Sequence, residues 1–130
     1  APGEQQPEVD HSLMKENSRS GSFADEFWRD AFDKGYFSYK LSTQELSELS
    51  LSVRYHANGV PGKKFEIYID DKILIAIDHT KNGRKPGFYF EEYIIPTALL
   101  DGKAQVRIKF QSIAGGSTDP IYDVRLLNRK

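Results

Sequence analysis

The segment KFEIYIDDKILIAIDH, Lys64 to His79, holds two alternating apolar runs around a pair of aspartates. Phe65, Ile67 and Ile69 precede Asp70, Asp71 and Lys72, and Ile73, Ile75 and Ile77 follow them. Successive side chains of a strand point to opposite faces, so this pattern predicts strands with one apolar and one wet side. Two such strands joined by a tight turn read as a β-hairpin. The pattern recurs on both sides of this segment. Leu49, Leu51, Val53 and Tyr55 alternate with Glu48, Ser50, Ser52 and Arg54, and Ala104, Val106, Ile108 and Phe110 alternate with Gln105, Arg107, Lys109 and Gln111. FYFEEYII, closed by Pro96, and PIYDVRLL, opened by Pro120, are rich in aromatic and β-branched residues, with proline confined to strand ends. With the strand that carries Phe37, Tyr39 and Leu41 on one face, the pattern yields about seven strands. STQELSEL and PTALLDG leave room for a helical turn or two only. A single sheet would leave its inward stripe of Ile, Val and Phe in water. The expected fold is therefore all-β, a two-sheet antiparallel β-sandwich of the jelly-roll or galactose-binding-domain-like kind.

Composition narrows the function. The 130 residues suit one domain with a real core. Eighteen basic residues against nineteen acidic ones leave a net charge of −1, which offers no field for nucleic acid or an anionic membrane. No apolar run reaches the roughly 20 residues of a membrane helix. The lack of cysteine removes thiolate catalysis and Cys-ligated zinc. Residues 1–26 carry scattered apolar side chains with no sustained period and read as a linker or docking arm, with the sandwich over 27–130. The opening APGEQQPEVDHS, without Met, has the look of an excised fragment.

Catalytic chemistry finds no foothold in the sequence. His11, His56 and His79 share no spacing that would bring two of them to one face of an element, so no metal site is expected. Glu91 and Glu92 are strand neighbours and point apart, so they do not form an acid/base pair. Asp70 and Asp71 are explained by the turn. NGVPGKK, Asn58 to Lys64, lacks the hydroxyl residue and following helix of a phosphate loop, and AGGST is a flexible connection. No nucleophile has an activating base beside it and no cofactor is called for. Aromatic residues remain, able either to fill a core or to stack on a sugar ring. If Phe37, Tyr39, Phe88 and Phe90 face inward, then Tyr36, Tyr89 and Tyr93 face outward, joined by Trp28. In FWRDAFDKGYFSYKL, Phe27 to Leu41, the plainer reading is that Trp28 and Phe32 anchor the arm while Arg29 and Asp30 bond to each other or to backbone.

The runs VDHSLMKENSRSGSF, FWRDAFDKGYFSYKL, PGFYFEEYIIP and VRIKFQSIAGGSTDPIYDVRLL together resemble the β-sandwich domain that follows the catalytic region of glycoside hydrolase family 127 proteins, the β-L-arabinofuranosidase-like enzymes. The likeness runs from about Pro7 to Leu127. The W-R-D-A motif is intact at Trp28–Ala31, Tyr36 stands for a Trp, and Tyr55–His56–Ala57 departs from a Tyr-Trp-Gly pattern. The resemblance implies a non-catalytic accessory domain whose partner is the catalytic domain of the same parent chain, acting in the periplasm or outside the cell. Its alternative role is a carbohydrate-binding module holding oligosaccharide, with Trp28, Arg29, Tyr36, His56 and Tyr89 as candidate contacts.

Overall fold

Eight strands and two short helices make up the computed structural model, which describes residues 1–81, 84 and 86–130. In order they are α1 (Gln5–Asp10), β1 (Met14–Phe23), β2 (Glu26–Ser42), β3 (Leu49–Ala57), β4 (Lys64–Ile69), β5 (Lys72–Asp78), β6 (Gly87–Ile94), α2 (Thr97–Leu100), β7 (Gln105–Ser112) and β8 (Asp123–Asn128). The larger sheet has the order β1-β2-β7-β4-β5 and the smaller β6-β3-β8, and every pairing is antiparallel. This is the expected two-sheet sandwich.

The alternating positions meet between the sheets. Phe37, Phe65, Ile67, Ile69, Val106, Ile108 and Phe110 from the larger sheet, and Leu49, Leu51, Val53 and Tyr55 from the smaller, are at most 2% exposed. Phe37 and Phe110 lie directly opposite in the β2/β7 ladder and stack at 5.0 Å between ring centroids, a cross-strand aromatic pair of the kind that pins register. Asp70 and Asp71 form the tight β4–β5 turn with φ of 47° and 66°, the left-handed pair a two-residue hairpin requires. Ala24 and Asp25, with φ of 51° and 64°, make the same turn between β1 and β2.

Three local readings change in three dimensions. The β4/β5 register shifts between Ile67 and Tyr68, so Leu74 is an extra residue and the alternation breaks there. Ile73, expected inward, is 50% exposed. Glu91 and Tyr93 hydrogen-bond to buried His79 and Tyr55, so β6 turns Tyr89, Glu91 and Tyr93 inward and leaves Phe90 outward, 55% exposed. Alternation defines two faces without saying which one is wet. In STQELSEL the left-handed φ of Gln44 (53°) and Glu45 (58°) turns the chain, while PTALLDG does form a helical turn.

Residues 1–26, expected as a linker or docking arm, hold α1 and the edge strand β1. β1 is mostly exposed and polar, which conceals its strand character from periodicity. Arg29, 7% exposed, holds the segment to the sandwich: Nε and Nη2 donate to the two carboxylate oxygens of Glu8 at 2.6 and 2.9 Å, and Nη1 donates to Ser18 Oγ at 3.0 Å. Tyr39 Oη donates to the same Glu8 carboxylate. Burial opposes the charge on Glu8, but the bonds from Arg29 and Tyr39 outweigh it and hold the carboxyl below its usual range. Asp30 pairs with Arg19, not with Arg29, at 3.0 Å.

Candidate functional site

Trp28 and Gly21 are direct partners in the β1/β2 ladder. A Cβ on Gly21 would come within 2.5 Å of Trp28 Cζ2, so the indole lies across the glycine. Only a residue without a side chain permits that close approach. The half-buried ring thus lines a depression of about 340 Å³ at one end of the sandwich. Phe23 and Ser22 of β1, His56 at the end of β3, Tyr122 just before β8 and the Asn58–Lys63 connection line the same depression, with Asp119 and Arg84. His56 is central to an aromatic cluster: its ring centroid lies 4.8 Å from Phe23, 4.7 Å from Phe88 and 6.4 Å from Tyr122. Phe88 meets Tyr122 edge-on at 5.0 Å and carries Arg54 over its outer side at 4.2 Å. Phe23 is 51% exposed while Tyr122 is 6% exposed, so the cluster grades from open rim to packed base.

A charged network backs the depression. His79 directly follows β5 and is 8% exposed, with its Nδ1 against Asp119 Oδ2 and its Nε2 at 2.6 Å from Glu91 Oε1. Asp119 Oδ1 accepts the Lys63 backbone N–H at 2.9 Å, and Arg84 Nη1 stands 3.7 Å from Asp119 Oδ2. Arg84 also donates to Tyr89 Oη at 3.2 Å and to the Val60 carbonyl at 3.1 Å. Backbone bonds from Gly62 N–H to the His79 carbonyl and from His79 N–H to the Lys63 carbonyl close the connection against β5. A Cβ on Gly62 would sit 2.6 Å from His79 Cβ and 2.9 Å from both Arg84 Cζ and Asp119 Oδ1, so glycine is what fits there. Behind the ring, Tyr55 packs edge-on at 4.8 Å and shares a 2.9 Å hydrogen bond with Tyr93, which donates to Glu91 at 2.9 Å. Burial disfavours the imidazolium, but the bonds to Asp119 and Glu91 win and push His79 up to about 9. His79 in turn holds the Glu91 carboxyl below its usual range.

Of the five candidate contacts, the structure brings Trp28 and His56 together in the depression. Tyr89 lies behind it, bonded to Arg84 and packed 5.5 Å from Tyr55. Arg29 is buried in the Glu8 pair. Tyr36 is on the outer face of the larger sheet, 5.7 Å from the Lys109 ammonium. Phe23, Arg84 and Asp119 carry no signal in the sequence that joins them to Trp28 or His56, because they come from segments far apart along the chain. Glu91 and Glu92 do diverge: Glu91 meets His79 and Glu92 meets Ser50 Oγ on the opposite face. Among the described residues no group of three or more His, Asp or Glu is arranged to hold a metal ion, and no helix is long and apolar enough to cross a membrane.

Similarity to known proteins points one way. The family of unknown function DUF6805 matches residues 1–127. A family 35 carbohydrate binding module from Clostridium thermocellum superposes with a TM-score of 0.69 at 11% identity, over 89% of this chain and 92% of that one. Another family 35 module, from an environmental isolate, gives 0.63 at 14% identity, over 89% and 82%. An exo-β-1,3-galactanase from Phanerochaete chrysosporium, determined with β-1,3-galactotriose, gives 0.63 at 7% identity, over 88% of this chain but only 27% of that one. No curated protein matches. At these identities the likeness establishes the fold, a jelly-roll sandwich of the kind carbohydrate-binding modules use.

Proposed function

The chain belongs to the DUF6805 family, and we propose that it is a non-catalytic carbohydrate-binding module, accessory to a glycoside hydrolase, that takes a sugar in the depression around Trp28. The observation that carries this reading is the indole laid across Gly21 beside His56, Tyr122 and Phe23 in one open concavity. A pyranose or furanose presents an apolar C–H face to such rings and hydroxyls to polar groups at the rim. Asn58, Lys63 and Arg84 line the rim as hydrogen-bond donors. The fold shared with family 35 modules supports the reading, as does a matching portion within a galactanase. The resemblance to family 127 enzymes supports a β-L-arabinofuranosidase-like parent that acts outside the cytoplasm.

Trp28 is the only tryptophan, so its fluorescence reports on the site. Titration with β-1,3-galactotriose and with arabinose-containing oligosaccharides should give saturable quenching, and Trp28→Ala should abolish the amide NMR shifts that the same sugars induce in the wild type. Unchanged emission and unchanged amide NMR shifts with all of these sugars refute the reading. A second role, packing on the catalytic domain of the same parent chain, draws on a different surface. Phe90 and Ile94, 55% and 64% exposed, project from β6 on the outer face of the smaller sheet, with Leu127 on the same face of β8.

A further inference from the structure

His79 has both ring nitrogens aimed at carboxylate oxygens, Nδ1 at Asp119 and Nε2 at Glu91. A neutral imidazole has one N–H and would present a lone pair to one of those oxygens, so with both carboxylates ionised the arrangement is satisfied by the doubly protonated ring. Asp119 spends its other oxygen on the Lys63 backbone N–H, and Arg84 joins Asp119 to the Val60 carbonyl. The rim of the depression is thus tied to the sandwich by the backbone bonds of Gly62 and Lys63 to His79 and by one buried carboxylate, which bonds the His79 ring and faces Arg84.

We propose that protonated His79 is the positioning residue of this site: it clamps Asp119 and Glu91 together and, through Asp119, holds the Val60–Lys63 rim in place to receive a ligand. This rests on the carbohydrate-binding reading for the identity of the ligand but not for the mechanics of the rim. The groups that face the ring are Asp119 ahead of β8, Glu91 of β6 and the edge of Tyr55 of β3, with Tyr93 and Arg84 one bond further out. Loss of the ring proton leaves two carboxylates on either side of a ring that can serve only one of them. When Asp119 is the one left, its Oδ2 keeps only the Arg84 guanidinium, 3.7 Å away, and the Val60–Lys63 segment that it anchors loosens. The sign follows from the raised value of about 9: the clamp is closed at neutral pH and opens as pH rises through that value.

The test combines three readouts on the intact chain: ring carbon NMR shifts of His79, iodide quenching of Trp28, and β-1,3-galactotriose titration, each followed from about pH 7 to 10. The ring should titrate near 9, with Trp28 becoming more accessible at the same midpoint and sugar affinity falling with it. Glu91→Gln, outside the lining of the depression, removes one of the two charges that hold the proton and should lower all three midpoints by about one unit. A structural role alone would change stability without moving a midpoint. A ring that titrates below about 7.5, or a Trp28 transition that Glu91→Gln leaves in place, overturns the proposal. Sugar binding that stays constant while the ring loses its proton also overturns it. If ring and Trp28 titrate together but no sugar binds at any pH, the rim mechanism stands and the carbohydrate reading falls.

Discussion

Cutting the Arg29–Glu8 pair separates anchoring from binding. Both side chains are under 10% exposed, and the pair is bidentate, at 2.6 and 2.9 Å, with Tyr39 as a third donor to Glu8. Removing one member of such a pair leaves a buried charge and typically costs about 3–5 kcal/mol, against a total of roughly 5–15 kcal/mol for a domain. Glu8→Gln keeps an acceptor for Tyr39 but strands the guanidinium, which has no means of losing its charge. Arg29→Met strands the carboxylate, which can neutralise itself by taking a proton. With a urea slope of roughly 1–3 kcal/mol per M, each single variant should lower the unfolding midpoint by on the order of 1–5 M at neutral pH. The double variant should cost at least about 2 kcal/mol less than the sum of the singles, because no unpaired charge remains. Arg29→Met should also lose most of its penalty in acid. In the wild type Glu8 is held below its usual range, so its stabilisation is complete at neutral pH and fades as pH falls through the carboxylate range. Additive singles, or singles costing under about 1 kcal/mol, would refute the view that this pair pins α1 and the start of β2.

Gly21→Val would drive a side chain into Trp28. Displaced indole emission and lost sugar quenching are expected, with overpacking costing about 1–3 kcal/mol by urea titration. Ile108→Ala, on the central strand β7 and fully buried, should cost about 2–5 kcal/mol in the same assay while leaving the Trp28 emission maximum unchanged. Tyr55→Phe deletes the hydroxyl that meets Tyr93 and should cost about 1 kcal/mol, measurable by thermal unfolding, without removing the His79–Glu91 bond.

The sequence by itself determined the architecture. Alternation in Phe65–Ile69, Leu49–Tyr55 and Val106–Phe110 is a local property, read two residues at a time, and it carries through to buried positions because one face of each strand must leave water. The two aspartates between β4 and β5 likewise announced a turn that their left-handed backbone makes. The tertiary structure decided whatever depends on which face meets which partner. β1 escaped notice because an exposed edge strand needs no apolar stripe. The outward turn of Phe90 in place of Tyr89 and Tyr93, and the bulge at Leu74 that exposes Ile73, follow from packing against neighbours distant in the chain. The site divides in the same way. Trp28 and His56 stood out by residue type, but their meeting in one depression, and the bond between His79 and Asp119 some 40 residues further on, exist only in the folded chain. Hydrogen bonds between distant strands leave no period in a sequence, because their geometry exists only once both sheets have closed on the core.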